Sequence, residues 1–267
     1  MQILQFYEFR EIPNKKLEFF KSWFYENCLK LNLKGLILLA PEGINLSISG
    51  HKEEINIFLE NCYKDPFFLN KNTRIRFQHT EVIPYKKLIV KIKEQIIPFP
   101  FKIRYELNQD YFISPKKFHQ LMEENKVIPV DTRNYYEWSI GSFRNSIKFP
   151  IRTFRELPSY LDWFKKYYFE NEDKIFVSFC TGGIRCEKVV PFFVEKGFCL
   201  YQIEGGILDY FLMFGNQKNF WEGECFVFDE RYSILPNFKK GNTIPCNLCG
   251  QPVVDSQCVR CGKISVA

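Results

Sequence analysis

From Lys174 to Gly197 the chain reads KIFVSFCTGGIRCEKVVPFFVEKG. An almost unbroken apolar run delivers Cys180, two glycines follow, and an amphipathic stretch begins near Arg185. A strand that is apolar on both sides must be covered on both faces, which is how parallel sheets with flanking helices are built. The neighbouring sequence repeats this alternation. SPKKFHQLMEEN predicts a helix capped by Ser114 with Pro115 at its first position. KVIPVDTR predicts a strand, and TFRELPSYLDWFKKYY a helix broken or kinked near Pro158. CLYQIEGG and ILDYFLMF complete the pattern as a strand and a short helix. Such α/β units place their sites at the carboxyl ends of the strands. Cys180 stands at one such end and Asp131 near another.

The first hundred residues follow a different rule. QILQFYEF, KGLILLA, INLSISG, RIRFQHTEV and KKLIVKIK read as strands, with helices at KKLEFFKSWFYENCLKL and HKEEINIFLENCY. The order β-α-β-β-α-β predicts a ferredoxin-like, acylphosphatase-like α+β domain with two helices on one face of an antiparallel sheet. The expected organisation is therefore 1–100 as a ferredoxin-like accessory domain, 114–215 as the α/β catalytic domain, 216–240 as a wrapping segment and 241–267 as a tail.

With 46% hydrophobic and 18% aromatic residues in 267, burying two cores is no difficulty. No apolar run approaches the roughly 20 residues of a membrane-spanning helix, and MQILQFYEFR lacks the layout of a signal peptide. A cytoplasmic protein without membrane partners is expected, and its ten cysteines are then thiols or metal ligands rather than disulfides. The net charge of +6 is a mild tilt toward an anionic partner. It is concentrated: Lys71 to Arg104 holds nine bases, among them Lys86, Lys87, Lys91, Lys102 and Arg104, against two acids. This stretch reads either as a lysine-protected sheet edge or as a face for a phosphate backbone, with Lys86, Lys87 and Lys91 as RNA contacts.

The loop Cys180–Thr181–Gly182–Gly183–Ile184–Arg185 carries the chemistry. Its glycines let the backbone curl so that N–H groups point inward at a helix start, a setting that favours negative charge. A thiol there has a lowered pKa and is nucleophilic. Arg185 adds positive charge or captures an anion. Only four residues separate Cys180 from Arg185, one fewer than in cysteine phosphatases, so the cradle suits a sulfur atom better than a phosphoryl group. Cys186 is either a small core residue or a second, resolving thiol. Cys28, Cys62, Cys199 and Cys225 read as packing residues.

Near the end, CNLCGQPVVDSQCVRCG places Cys246, Cys249, Cys258 and Cys261 in two Cys-x-x-Cys pairs, each followed by glycine. Four thiolates so spaced predict a structural zinc site, and metal binding would supply the folding free energy of so short a tail.

The second unit resembles a rhodanese domain, through VDTRNYYEWSIGSFRNSIKFP, the cysteine loop and IEGGI. More narrowly, CTGGIRCEK, APEGIN at Ala40–Asn45, FRELP at Phe154–Pro158 and GECFVFDER at Gly223–Arg231 resemble the rhodanese-containing, oxygen-dependent tRNA uridine hydroxylases. The resemblance implies hydroxylation of the wobble uridine of tRNA to 5-hydroxyuridine. Molecular oxygen is then the co-substrate, tRNA the partner, and no organic cofactor takes part. It implies that Cys180 is the active thiol, bearing a persulfide, and that Asp131 and Arg133 are site residues. Glu42, Gly43 and Asn45, in APEGIN, are either a hairpin turn or a contribution to the site. Many members of that family carry a longer, more cysteine-rich tail than this chain. Two other readings stand beside the hydroxylase: a sulfurtransferase feeding tRNA thiolation, and a non-enzymatic RNA-binding adaptor.

Overall fold

A computed structural model describes residues 1–64, 68–70, 73–101, 109–254 and 257–262, which divide into two compact units, Met1–Pro98 and Phe99–Ala267. Lys71, Lys102 and Arg104 of the basic stretch lie outside the described residues, as do 255–256 and 263–267 of the tail.

In the first unit the elements are β1 (Gln2–Phe9), α1 (Asn14–Lys30), β2 (Lys34–Ala40), β3 (Gly43–Gly50), α2 (Lys52–Tyr63), β4 (Arg76–His79) and β5 (Leu88–Ile92). The sheet order is β4-β1-β3-β2-β5. Its first four strands are antiparallel, as expected, but β5 runs parallel to β2 along the outer edge. That edge would otherwise leave β2 backbone groups unpaired; Gly35 N donates to Lys87 O at 3.1 Å and Lys93 N to Leu39 O at 2.8 Å. Period-2 alternation sends Leu4, Phe6, Ile37, Leu39, Ile44, Leu46 and Ile48 to one face. There they meet Phe20 and Phe24 of α1 and Ile55 and Phe58 of α2. Full burial of each such side chain contributes about 1.5–3 kcal/mol.

The second unit contains β6 (Phe112–Ile113), α3 (Pro115–Glu123), β7 (Val127–Asp131), α4 (Tyr135–Trp138), β8 (Gly141–Phe143), β9 (Ile147–Lys148), α5 (Leu161–Phe169), β10 (Ile175–Phe179), α6 (Cys186–Glu195), β11 (Leu200–Ile203) and α7 (Gly206–Phe214). The sheet order β6-β11-β10-β7-β9 is parallel throughout. Val177 and Phe179 face α3 and α7, in a cluster with Phe118, Phe143, Ile207 and Phe211. On the opposite face Phe176 meets Phe164 of α5, which packs edge-on against Phe193 of α6. The helix broken near Pro158 is a 3-10 turn, Phe154–Tyr160, leading into α5. Beyond α7, β12 (Trp221–Gly223) pairs with β8, β13 (Cys225–Phe226) with β14 (Ser233–Ile234), and β15 (Val253–Val254) with β16 (Gln257–Cys258).

Candidate active site

β10 ends at Phe179, so Cys180 is the first residue beyond the carboxyl edge of the sheet, and it is fully buried. The loop curls back at Gly183, whose φ of +97° is a left-handed value open to glycine. Gly183 N then donates to Cys180 Sγ at 3.1 Å. The loop is clamped from the other side by the start of α7: Ile207 N donates to Cys180 O at 3.0 Å and Leu208 N to Thr181 O at 3.1 Å. This close approach needs Gly206, at φ +66°, because a Cβ there would overlap Cys180 O and sit 2.8 Å from Gly183 N. Gly182 and Ile184 are half-buried at the mouth of the loop. Thr181 is 9% exposed, and its hydroxyl has no hydrogen-bond partner among the described residues.

Arg185 does not project into the cradle as a free guanidinium. It grips Glu137 of α4 through two bonds of 2.6 Å, and both side chains are buried. Glu137 also accepts from Asn134 N at 3.1 Å, which closes the first turn of α4. Glu137 was not among the residues expected from sequence; the Asn-x-x-Glu spacing of a capping box is the signal that marks it. Burial alone pushes the Cys180 thiol up. A hydrogen bond with Cys186, the Arg185 charge, and bonds from the Arg185 backbone and side chain outweigh it and bring the pKa down to about 5. Cys186 is raised by burial and by its charged neighbour, so it remains a thiol. Its Sγ lies 3.7 Å from Thr132 Oγ1. Cys180 is thus a thiolate at neutral pH, held by the backbone N–H groups of Gly183 and Arg185, one thiol and one guanidinium.

Asp131, in register with Phe179 at the end of β7, pairs with Arg133. Arg133 Nε and Nη2 bond the two Asp131 oxygens at 2.9 and 2.7 Å, and neither side chain is exposed. Ser142 Oγ donates to the same carboxylate at 2.7 Å, while Arg133 Nη2 also reaches Gly141 O at 2.7 Å. The residue between them touches the site: Thr132 Oγ1 donates to Phe179 O at 2.9 Å and faces Cys186. The same construction recurs in the segment GECFVFDER, where Arg231 N, Nε and Nη2 bond Asp229 at 3.0, 2.9 and 2.6 Å. Cys225 is fully buried and its thiol is pushed up to about 12 by desolvation, as a packing residue should be.

In the first unit, Pro41 and Glu42 form the tight connection between β2 and β3. Glu42 O accepts from Arg10 N at 3.0 Å, and its carboxylate accepts from Ile96 N at 2.8 Å. A Cβ on Gly43 would overlap the Glu8 carbonyl oxygen. Asn45 pairs with Tyr7 and Leu38 in the sheet and is half-buried. Lys86, Lys87 and Lys91 are exposed on or beside the edge strand β5.

Residues 1–96 match the family described as UPF0176 acylphosphatase like domain, and residues 114–211 the Rhodanese-like domain. Over 266 residues the chain is 34% identical to a tRNA uridine(34) hydroxylase of Synechococcus elongatus, covering 97% of this chain and 94% of that one. The chain belongs to the tRNA uridine(34) hydroxylase family. Family proteins of the same name from Legionella pneumophila (34% identical, 87% of this chain and 89% of the other) and Acinetobacter baylyi (33%, 85% and 71%) agree. In this hydroxylase-family chain the expected acylphosphatase-like and rhodanese folds are both present. Among the described residues no helix is long and apolar enough to cross a membrane.

The tail of this family member gathers the four cysteines that the spacing singled out. The sulfurs of Cys246, Cys249, Cys258 and Cys261 lie within 4.8 Å of one another, a cluster that can hold a metal ion. Each Cys-x-x-Cys pair ends in a left-handed glycine, Gly250 at +72° and Gly262 at +64°. Gly250 N bonds Cys246 O at 2.8 Å, and Gly262 N bonds Cys258 O at 3.0 Å. Two matching turns therefore bring the four thiols together. Arg260 N and Cys261 N point at Cys258 Sγ from 3.4 and 3.5 Å, as N–H groups do toward a thiolate ligand. Upstream, Glu224 fastens the tail: it accepts from Ser233 Oγ at 2.6 Å, Asn242 N at 2.7 Å and Thr243 N at 3.0 Å.

Proposed function

We propose that this protein hydroxylates uridine 34 of tRNA, the activity named for its relatives, with molecular oxygen as co-substrate and no organic cofactor. The observation that carries the role of Cys180 is its state: a fully buried thiol with its pKa near 5, beside a Gly183 N–H and the Arg185 charge. A thiolate so placed is a strong nucleophile shielded from water, and it can carry a terminal sulfur as a persulfide. The Thr181 hydroxyl, which has no hydrogen-bond partner among the described residues, is available to bond an arriving substrate. Arg185 holds the negative charge on sulfur, and Glu137 holds Arg185. Asp131 and Arg133 act as positioning residues, through Thr132 and the start of α4. Lys86, Lys87 and Lys91 contribute phosphate contacts, while Glu42, Gly43 and Asn45 brace the first unit. The tail cysteines hold zinc, whose fit rests on four sulfur donors and two matching turns. Its part is structural.

The test is mass spectrometry of tRNA nucleosides from a host lacking this activity and expressing either the native chain or Cys180→Ser. 5-Hydroxyuridine with the first and not the second supports the reading. The cradle's four-residue spacing also suits sulfur transfer. If thiolated uridine rises and hydroxyuridine does not, that second reading replaces the first.

A further inference from the structure

β9 pairs with β7 at only two positions, Val130 with Ile147 and Asp131 with Lys148. The outer edge of β7 at Ile128 is left without a neighbouring strand among the described residues, and a cavity of about 390 Å3 lies there. Trp163 and Tyr167 of α5, Ile128, Ile147 and the exposed Lys148 line it. A second cavity of about 530 Å3 shares Ile128, Asn145 and Asn171 with the first and adds Arg144, Lys174 and Phe220. The two make one groove, each lobe within the size range of ligand sites.

The lining is one-sided in charge. Lys148 lines the first lobe and Arg144 and Lys174 the second, and among the described residues no carboxylate lines either; Lys174 also donates to Asn125 O at 2.8 Å and pairs with the exposed Asp173 at 3.5 Å. Arg144 is paired with Glu222 at 2.9 Å, but both side chains are more than half exposed (56% and 61%), so the pair is worth little and exchanges easily. Lys148 has no ion-pair partner among the described residues. Trp163 and Tyr167 sit 4.8 Å apart at 57°, and neither the indole N–H nor the phenol has a hydrogen-bond partner among the described residues. Asn145 offers an amide that both donates and accepts, while Asn171, whose Nδ2 donates to Tyr167 O at 2.9 Å, offers its amide oxygen. Cations spread along both lobes, flat rings and side-chain amides are the chemistry that receives unpaired bases and their phosphates. A compact anion would instead want its charges gathered at one point.

The groove is separate from the thiol loop. Ile128 is in register with Phe176, four residues before Cys180, which places it about 13 Å back along the strands.

We propose that this groove binds a single-stranded segment of RNA, stacking an unpaired base on Trp163 and Tyr167 and holding phosphates with Lys148, Arg144 and Lys174. That the RNA is tRNA rests on the function proposed above. The experiment uses the full chain, with its metal, and a short single-stranded RNA bearing photoreactive 4-thiouridine. Irradiation and peptide mapping should place crosslinks in residues 144–148 or 163–174. Lys148→Gln and Tyr167→Ala, both at exposed positions, should each weaken binding by about fivefold or more, with unchanged melting. Under turnover both should raise KM for tRNA and leave kcat alone. Crosslinks found only elsewhere, or affinities within about twofold of native, overturn the proposal. So does an acidic polypeptide that competes as well as RNA, because the groove would then be a protein-docking surface. Groove crosslinks in a chain that hydroxylates no uridine would sink the catalytic reading and leave the groove standing. Hydroxylation with no RNA in the groove does the reverse.

Discussion

Removing the Arg185 charge should move the Cys180 titration, and the structure says how far. The thiol stands at about 5 against an ordinary 9.0, a difference worth about 5 kcal/mol in favour of the thiolate. An opposite charge at close range accounts for about 1–3 pH units of such a shift. Arg185→Ala should therefore raise the Cys180 pKa by that amount, while burial, which opposes ionisation, stays in place. The same variant strands the buried Glu137 carboxylate, at a cost of about 3–5 kcal/mol in stability. Arg185→Met combined with Glu137→Leu removes both charges and should recover most of the melting temperature without restoring the thiolate. The assay is the pH dependence of Cys180 alkylation, read on its tryptic peptide, with thiolate ultraviolet absorbance corrected by Cys180→Ser. The sign for folding follows from the lowered folded-state pKa. Ionised Cys180 adds stability as pH rises from 5 toward 9, and that contribution is lost as pH falls through 5. If Cys180 still titrates near 5 in both variants, Arg185 does not hold the charge, and the electrostatic account of this site is wrong.

Gly206→Ala should destabilise the chain by about 1–3 kcal/mol and abolish activity, because its Cβ would push on Cys180 O; thermal melting and nucleoside analysis read the two effects. Purified protein should carry one zinc ion per chain by elemental analysis. Cys249→Ser should lower that occupancy, and chelation should loosen residues 246–261 to proteolysis while the thiol loop keeps its titration. Neutralising Lys86, Lys87 and Lys91 together should weaken tRNA binding and lower the slope of log affinity against log salt by about 2; an unchanged slope would make β5 merely a protected sheet edge.

Local features were well read from the chain. The capping of α3 by Ser114, the kink at Pro158 and the strand end at Cys180 all depend on neighbours in sequence. So do the paired turns of the cysteine tail, where each glycine closes a bond four residues back. Arg185 is a different case. Its partner lies 48 residues away in a helix of four residues, too short to leave a periodic signal. Gly205 and Gly206 merely separate the strand and helix patterns in the sequence; only the folded chain shows Gly206 pressed against the thiol loop. The parallel pairing of β5 was also hidden, because an edge strand of five residues carries no mark of its direction.

The sequence by itself determined that this chain builds an α+β unit and an α/β unit, puts a cysteine at a strand end and places four cysteines in its tail at a spacing that can hold a metal. Hydrophobic period, glycine placement and cysteine spacing act over a few residues, and they survive being read in a line. The tertiary structure decided which charge ionises the thiol, which partner holds that charge and where the sheet edge opens into a groove. Those outcomes depend on pairs brought together from distant segments, whose energies exist only once the low-dielectric interior has formed around them.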